Sequence, residues 1–455
     1  MKSILRFTVF SARFFTAQIL LLPLFLAHLS AGTAVSSTAR ISIQDGRFVD
    51  KSTGKPFRPL GVNYYRSVQL EDEKRGHGAF SPGNYDEAFM TRMMQKIPKD
   101  GFNTVRSFLS NHSGPTGIVT DPQSAEINPA FLANLTHFLR EAQKQHLYVI
   151  LTWDTWTPES RAWAEKPLAD EARHGFVEDS KVPLLVNGFR LSPKPIRAKA
   201  NAICTLMTAL QKNAPELLPV VLAWELENEV RFRLDQEPFL SRPAGFAFGG
   251  QTFDLRGDEG AQALMDAAAR AWASACADAI HATDPEALVS ASVFTFAAVG
   301  REGPGTWSKD VTEDMRIPAR PLALLESSLD FVDLHLYAGR SNTRNITQHL
   351  EHDLASVELP ALTSAAKRLG KPILIGESGI GAHVTRHGPD WPTIRHEASQ
   401  ALLREFHQAL APHPFAGLLH WHYGSPDSTA QDEYPALTLF PVYGEVLKAF
   451  HFHDE

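Results

Sequence analysis

Cysteine is scarce: the 455 residues hold two, Cys204 and Cys276. A disulfide-knit scaffold is thereby excluded; a single bridge stays open, provided the two helical segments that carry them are neighbours in an oxidising compartment. Positive charge is short as well, with 44 Lys and Arg against 51 Asp and Glu and a formal net charge of −7, so nothing draws the chain to nucleic acid or anionic lipid. There is no fixed-period repeat, no long Pro, Gly or Ser linker and no block of like charge, and one domain is the economical reading past the N-terminus. The apolar run Ile19–Leu29 is about half the ~20 residues that span a bilayer. It follows Lys2, Arg6 and Arg13 and precedes Ala31, Ala34 and Ala39. That is the pattern of a secretory signal peptide, placed at residues 1–34, with the mature domain over 35–455 and a secreted or periplasmic location expected, free of the membrane after cleavage.

The content is 44% hydrophobic and 10% aromatic, enough to bury a large core. Eight apolar segments recur, each followed by a turn-rich loop and a helix pattern: 59–64, 103–108, 147–153, 220–224, 288–294, 331–336, 372–376 and 415–421. They are near-continuous in Val, Ile, Leu and Phe rather than alternating with charge, as strands covered on both faces are. Helix starts are legible at Asn128-Pro129, at Ser192-Pro193 and at Asp258. Eight strands alternating with helices predict an α/β fold, a (β/α)8 TIM barrel. The chain exceeds the ~250 residues such a barrel needs. The surplus falls after the third, fourth, fifth and eighth strands, as long loops on the face where barrel sites are built.

Hydrolysis of a glycosidic bond asks for two carboxyl groups, one to protonate the leaving oxygen and one on the other side of the anomeric carbon. Two candidates end strands: Glu229, in Trp224-Glu225-Leu226-Glu227-Asn228-Glu229, and Glu377, in Gly376-Glu377-Ser378-Gly379. The fourth and seventh strands lie nearly opposite each other in an eight-stranded ring. Glu225 and Glu227 are read as supporting residues. His420 and His422, two apart on one strand, raise metal catalysis as a rival. It is weakened because barrel metallohydrolases of the amidohydrolase kind carry such a pair on the first strand, which here ends Val62-Asn63-Tyr64.

Together with Gly61-Val62-Asn63-Tyr64, Asn103-Thr104-Val105-Arg106, His335-Leu336-Tyr337 and Trp421, these motifs resemble, in order and along the whole mature chain, the retaining glycoside hydrolases of the cellulase-like superfamily, of which family 5 is the largest. The resemblance implies Glu229 as acid/base and Glu377 as nucleophile. It implies Arg106 and Tyr337 as hydrogen-bond donors to Glu377, His335 beside the pair, Asn228 on the 2-hydroxyl of the sugar at the minus-one subsite and Trp421 stacked on that sugar. A guanidinium should keep the nucleophile ionised, whereas the environment of the acid/base should raise its pKa. Trp153, Trp156, Trp163, Trp307 and Trp391 are possible further sugar platforms; Trp224 and Trp272 read as packing. The chain departs from the family at Val230, where a proline is common, at Ser378, where an aromatic is common, and after the third strand, where Trp153-Asp154 stands in place of a histidine.

A β-linked glycan is the expected partner, with endo-β-1,4-mannanase or β-glucanase activity, no cofactor and a monomeric chain. An exo-acting β-glycosidase, a transglycosylase and a non-catalytic glycan-binding barrel are the alternatives.

Overall fold

Near-continuous apolar strands can only be satisfied between two covering layers, and the chain builds them as a closed ring. The computed structural model describes residues 38–64, 78–154, 158–307, 314–338, 345–380 and 396–423, all in the unit 37–455. The expected signal peptide, Trp156, Trp391 and the loop after Tyr423 lie outside them. Among the described residues no helix is long and apolar enough to cross a membrane.

A short hairpin, β1 (Ile41–Gln44) and β2 (Arg47–Asp50), precedes the ring. The ring consists of β3 (Leu60–Asn63), β4 (Thr104–Leu109), β5 (Tyr148–Trp153), β6 (Val221–Glu225), β10 (Val289–Phe294), β12 (Phe331–Ala338), β13 (Ile373–Ile380) and β14 (Leu418–His420), all parallel, with β14 pairing back on β3. All eight expected strands are present, within a few residues of their predicted ends. Gly61 lets β3 close on β4: a Cβ there would sit 2.1 Å from the carbonyl oxygen of Thr104.

The strands left over belong to the long loops. β7 (Arg231–Arg233) and β11 (Arg316–Pro318) pair antiparallel, and β8 (Phe246–Phe248) with β9 (Gln251–Phe253) forms a hairpin. Helices α1 (Glu87–Lys96), α2 (Pro129–Lys144), α3 (Arg161–Glu165), α4 (Gly188–Leu191), α5 (Pro193–Asn213), α6 (Asp258–Thr283), α7 (Pro321–Leu325), α8 (Ile346–Ser356), α9 (Leu359–Leu369) and α10 (His396–Leu410) cover the outside. The predicted start of α2 holds in detail, for Asn128 accepts from the Ala130 amide and Pro129 occupies the first helical position.

Two apolar clusters divide the work. The larger fills the space between strands and helices. The smaller plugs the N-terminal mouth of the ring, where Phe48 of the hairpin packs edge-to-face on Phe331 with ring centres 5.2 Å apart, beside Ile150, Leu222 and Leu374. With that mouth closed, the polar residues inside the ring gather at the opposite end. Cys204 and Cys276 are both free thiols.

Candidate active site

Arg106, at the inward-facing middle of β4, is fully buried and organises the C-terminal mouth. Its Nη1 donates to Oδ1 of Asn63 (2.8 Å) and to Oε1 of Glu377 (2.6 Å), and its Nη2 to Oε1 of Glu225 (2.5 Å) and Oδ1 of Asn228 (2.8 Å). Burial works against this charge, but Glu225, Glu377 and Asp333 outweigh it and hold the guanidinium more firmly protonated than usual. Burial likewise raises the Glu225 carboxyl, and Arg106 with Thr152 more than reverses that, leaving it below its ordinary range. Asp333 is the exception: buried and facing Glu225, its carboxyl is pushed well above its usual value and keeps its proton. Its Oδ1 accepts from the Gly376 amide (2.5 Å), and a Cβ on Gly376 would come within 1.7 Å of Oδ2. The glycine before Glu377 therefore makes room for Asp333.

Glu377 is buried on β13, with Oε1 on Arg106 and Oε2 accepting a hydrogen bond from the Tyr337 hydroxyl (2.5 Å). Burial, followed by the Glu377 charge, pushes the Tyr337 phenol well up, so it stays a donor. Glu229 lies across the mouth, after β6, in a turn that gives it φ +59°. A side chain seldom tolerates that region, and this turn is pinned from every side. The Glu229 amide donates to Ser292 Oγ (2.9 Å), the Asn228 amide to the Trp153 carbonyl (2.7 Å) and the Val230 amide to the Ser292 carbonyl (2.8 Å). Beneath it, buried Glu227 is gripped by Arg190 of α4 and approached by Lys199 of α5 (3.7 Å).

A carboxylate oxygen of Glu229, one of Glu377 and a ring nitrogen of His335 all lie within 4.8 Å of one another. His335 Nδ1 is 3.2 Å from Glu229 and 3.4 Å from Glu377. As a donor set these three could hold a cation, but both oxygens of Glu377 already accept from Arg106 and Tyr337, and the buried guanidinium beside them opposes a second positive charge. Contrary to expectation, the Glu229 carboxyl is not raised. Burial is the largest influence and does raise it, but the His335 hydrogen bond and charge, with Arg231 and Arg316, reverse the balance and leave it below its ordinary range. About a quarter of that side chain is open to solvent.

Trp421 directly follows β14, half-buried at the mouth, its amide on the Ser378 carbonyl (2.8 Å) and its ring edge-to-face with Phe108 at 6.0 Å. Three of the other proposed platforms are corrected. Trp153 and Trp163 are fully buried, and Trp307 is nearly so. Trp153 lies under the Lys199 ammonium and Trp307 under the Arg242 guanidinium, so each belongs to the packing beneath a loop. Four contributors escaped the sequence reading: Asn63, Thr152, Ser292 and Asp333. Their shared signal is a small polar residue in a strand otherwise made of apolar ones, which a ring interior tolerates only where a network satisfies it.

A closed parallel barrel with two acidic side chains facing each other at its C-terminal mouth, one tied to a buried arginine and a tyrosine, is the architecture of a glycoside hydrolase. The chain matches the family described as Cellulase (glycosyl hydrolase family 5) over residues 73–410, and it belongs to that family. Among solved structures it is similar to the exo-β-1,4-mannosidase of Opitutaceae bacterium strain TAV5, at 18% identity and a TM-score of 0.53 over 90% of this chain, and it spans 62% of that one. It is also similar to a glycoside hydrolase family 5 mannosidase from Rhizomucor miehei, at 17% identity and a TM-score of 0.52, covering 91% of this chain and 99% of the other. No curated protein matches it.

Proposed function

We propose that this family 5 glycosidase is a retaining enzyme, with Glu377 as nucleophile and Glu229 as acid/base, acting on a β-linked glycan. The observation that carries the reading is the separation of the pair: oxygens within 4.8 Å suit a retaining site at ~5 to 5.5 Å and leave too little room for the water an inverting one places across ~6.5 to 9.5 Å. Glu377 attacks the anomeric carbon as the bond to the leaving oxygen breaks, and Glu229 gives that oxygen its proton. Glu229 then takes a proton from the water whose oxygen replaces Glu377. Arg106 and Tyr337 hold the nucleophile in one orientation throughout. His335, with its proton on Nδ1, bridges toward both carboxyl groups. Asn228 presents its Oδ1 to Arg106, so a sugar hydroxyl meets the amide as a donor, and Trp421 supplies an aromatic face for the ring.

For the substrate we infer a β-1,4-mannan, glucomannan or glucan, cut within the chain. The two solved structures described above are named as mannosidases, which makes mannan the first polymer to try and exo action the second reading. Export by the N-terminal segment belongs to the same proposal, and N-terminal sequencing of the protein recovered outside the cytoplasm tests it. The deciding measurement is reducing-sugar release from mannan, glucomannan, carboxymethyl-cellulose, laminarin and xylan by the wild type and by Glu377→Ala, with and without chelator. Release that Glu377→Ala abolishes and chelator spares supports the reading; release that survives the substitution, or stops with chelator, overturns it.

A further inference from the structure

Gly376 is the extra residue of a bulge. Leu334 of β12 pairs with Ile375 of β13, but His335 pairs with Glu377, so Gly376 has no partner in that ladder. The bulge decides where Glu377 points, because successive side chains of a strand face opposite sides. Ile373 and Ile375 lie in the outer cluster between strands and helices, and Leu374 lies in the inner plug with Phe331. Unbroken alternation from Leu374 would turn Gly376 inward and send Glu377 outward to the helices. One inserted residue re-aims a side chain, and Glu377 instead reaches Arg106 inside the ring.

Backbone groups that a bulge takes from the ladder need other partners when they are buried. The Gly376 carbonyl accepts from the Asn63 side-chain amide (2.7 Å), and the Gly376 amide donates to Asp333 Oδ1 (2.5 Å). Asp333 is fully buried on β12. Among the described residues no donor reaches its Oδ2. Arg106 Nε stands 3.9 Å from that oxygen and donates to Glu225 instead (3.2 Å), and the carboxyl that faces Asp333 is that of Glu225. A buried carboxyl oxygen without a donor, set against another acid, keeps a proton and is itself the donor. The charge of Arg106 is then divided between Glu225 and Glu377, whereas an ionised Asp333 would compete for it and repel Glu225.

We propose that Asp333 is a positioning residue for Glu377: as an un-ionised acid it accepts from the Gly376 amide with one oxygen and donates to Glu225 with the other, and so fixes the bulge that turns Glu377 into the ring. Its effect on rate rests on Glu377 being the nucleophile; the clamp on the bulge can be read apart from that role.

The test compares the wild type with Asp333→Ala, which keeps neither hydrogen bond, and with Asp333→Asn, which offers an acceptor to Gly376 and a donor to Glu225 without a charge. On glucomannan, Asp333→Ala should lose about 10²-fold in kcat, the cost of a shift of about 1 Å at the reacting centre, with KM little changed. Asp333→Asn should recover most of that loss. A loss as deep in the asparagine variant as in the alanine variant means that the charge is required, and no loss in either means that the clamp does not aim Glu377; each overturns the proposal. Two readouts need no turnover. Hydrogen exchange of the peptide that carries Gly376 should quicken in Asp333→Ala and stay slow in Asp333→Asn. Infrared difference spectra of the wild type against Asp333→Asn should show the carbonyl band of an un-ionised carboxylic acid at a pH well above the ordinary Asp value of about 3.9. Unchanged exchange in the alanine variant, or no such band, overturns the proposal. Should Asp333→Ala not fold, the asparagine variant decides: the band present in the wild type and most of kcat kept uphold the proposal, and loss of kcat or absence of the band overturns it. If the wild type cuts glucomannan no faster than Glu377→Ala does, the nucleophile reading falls, while the exchange and the band still decide on the clamp.

Discussion

At the scale of single residues, His335 is the most informative side chain in the mouth. Among the described residues its ring nitrogen is the one that reaches both Glu229 and Glu377, and after burial it is the largest influence on the Glu229 carboxyl, pulling it down. A general acid must carry its proton, so its pKa sets the basic limb of the kcat/KM profile. His335→Asn removes a lowering influence, the Glu229 carboxyl rises, and the basic limb should move to higher pH, as initial rates across a pH series will show. Glu229→Gln should cost about 10²- to 10⁴-fold in kcat/KM on a polymer, the usual worth of positioned proton transfer. The loss in the first step should be much smaller on an aryl glycoside whose leaving group needs no proton. Both glutamates were legible in the sequence as carboxylates at or just past strand ends, and the donors to Glu377 through the family resemblance of the motifs that carry them. The direction of the Glu229 shift was not legible: it comes from His335 and from Arg231 and Arg316, brought together from three separate strands.

Among elements, the segment that carries Glu229 depends on a loop far from it in the chain. The insertion after β5 brings Arg190 onto Glu227, with Lys199 of α5 completing a buried group of one acid and two bases. Glu227→Gln takes the paired carboxylate from Arg190 in the interior, where breaking a buried pair costs about 3–5 kcal/mol. Denaturant melts should show that loss, while Arg161→Gln, at an exposed pair with Glu165, should change stability by under about 1 kcal/mol. Gly376→Ala belongs at this scale too. The added methyl falls on Asp333, so β12 and β13 must part beside Glu377, and both stability and kcat should drop. The ring strands and α2, α5 and α6 were readable from hydrophobic runs and caps. The ribbon of β7 and β11 and the hairpin of β8 and β9 were not, because three-residue strands have no periodicity to read and their pairing is set by loops that meet only in three dimensions. The buried tryptophans were misjudged for a similar reason, since a loop position does not reveal whether another loop covers it.

Over the whole molecule, two buried histidines couple stability to pH. Burial pushes His407 down to about 3, and burial with the nearby His407 charge pushes His420 well below its usual range. Their rings lie 5.3 Å apart between α10 and β14. Both are neutral when folded and free to take a proton when unfolded, so the unfolded chain binds more protons below its ordinary histidine pKa of about 6.5, and stability falls as pH drops from there toward about 3. The steepness is up to roughly 1.4 kcal/mol per pH unit for each histidine. His407→Leu should flatten the dependence, as urea midpoints at a series of pH values will read. The seam beside these histidines has a consequence in time. Asn63 donates to the carbonyl of His420, 357 positions later, and the same asparagine accepts from Arg106. A growing chain holds β3 and β4 long before it owns the strand that closes the ring, and the entropy of joining such distant ends is met only at the end of synthesis. Any nascent or clipped chain that stops short of β14 thus lacks Trp421 and one of the two carbonyls that take the Asn63 amide, leaving Gly376 as the other, so the mouth of such a copy is left unfinished.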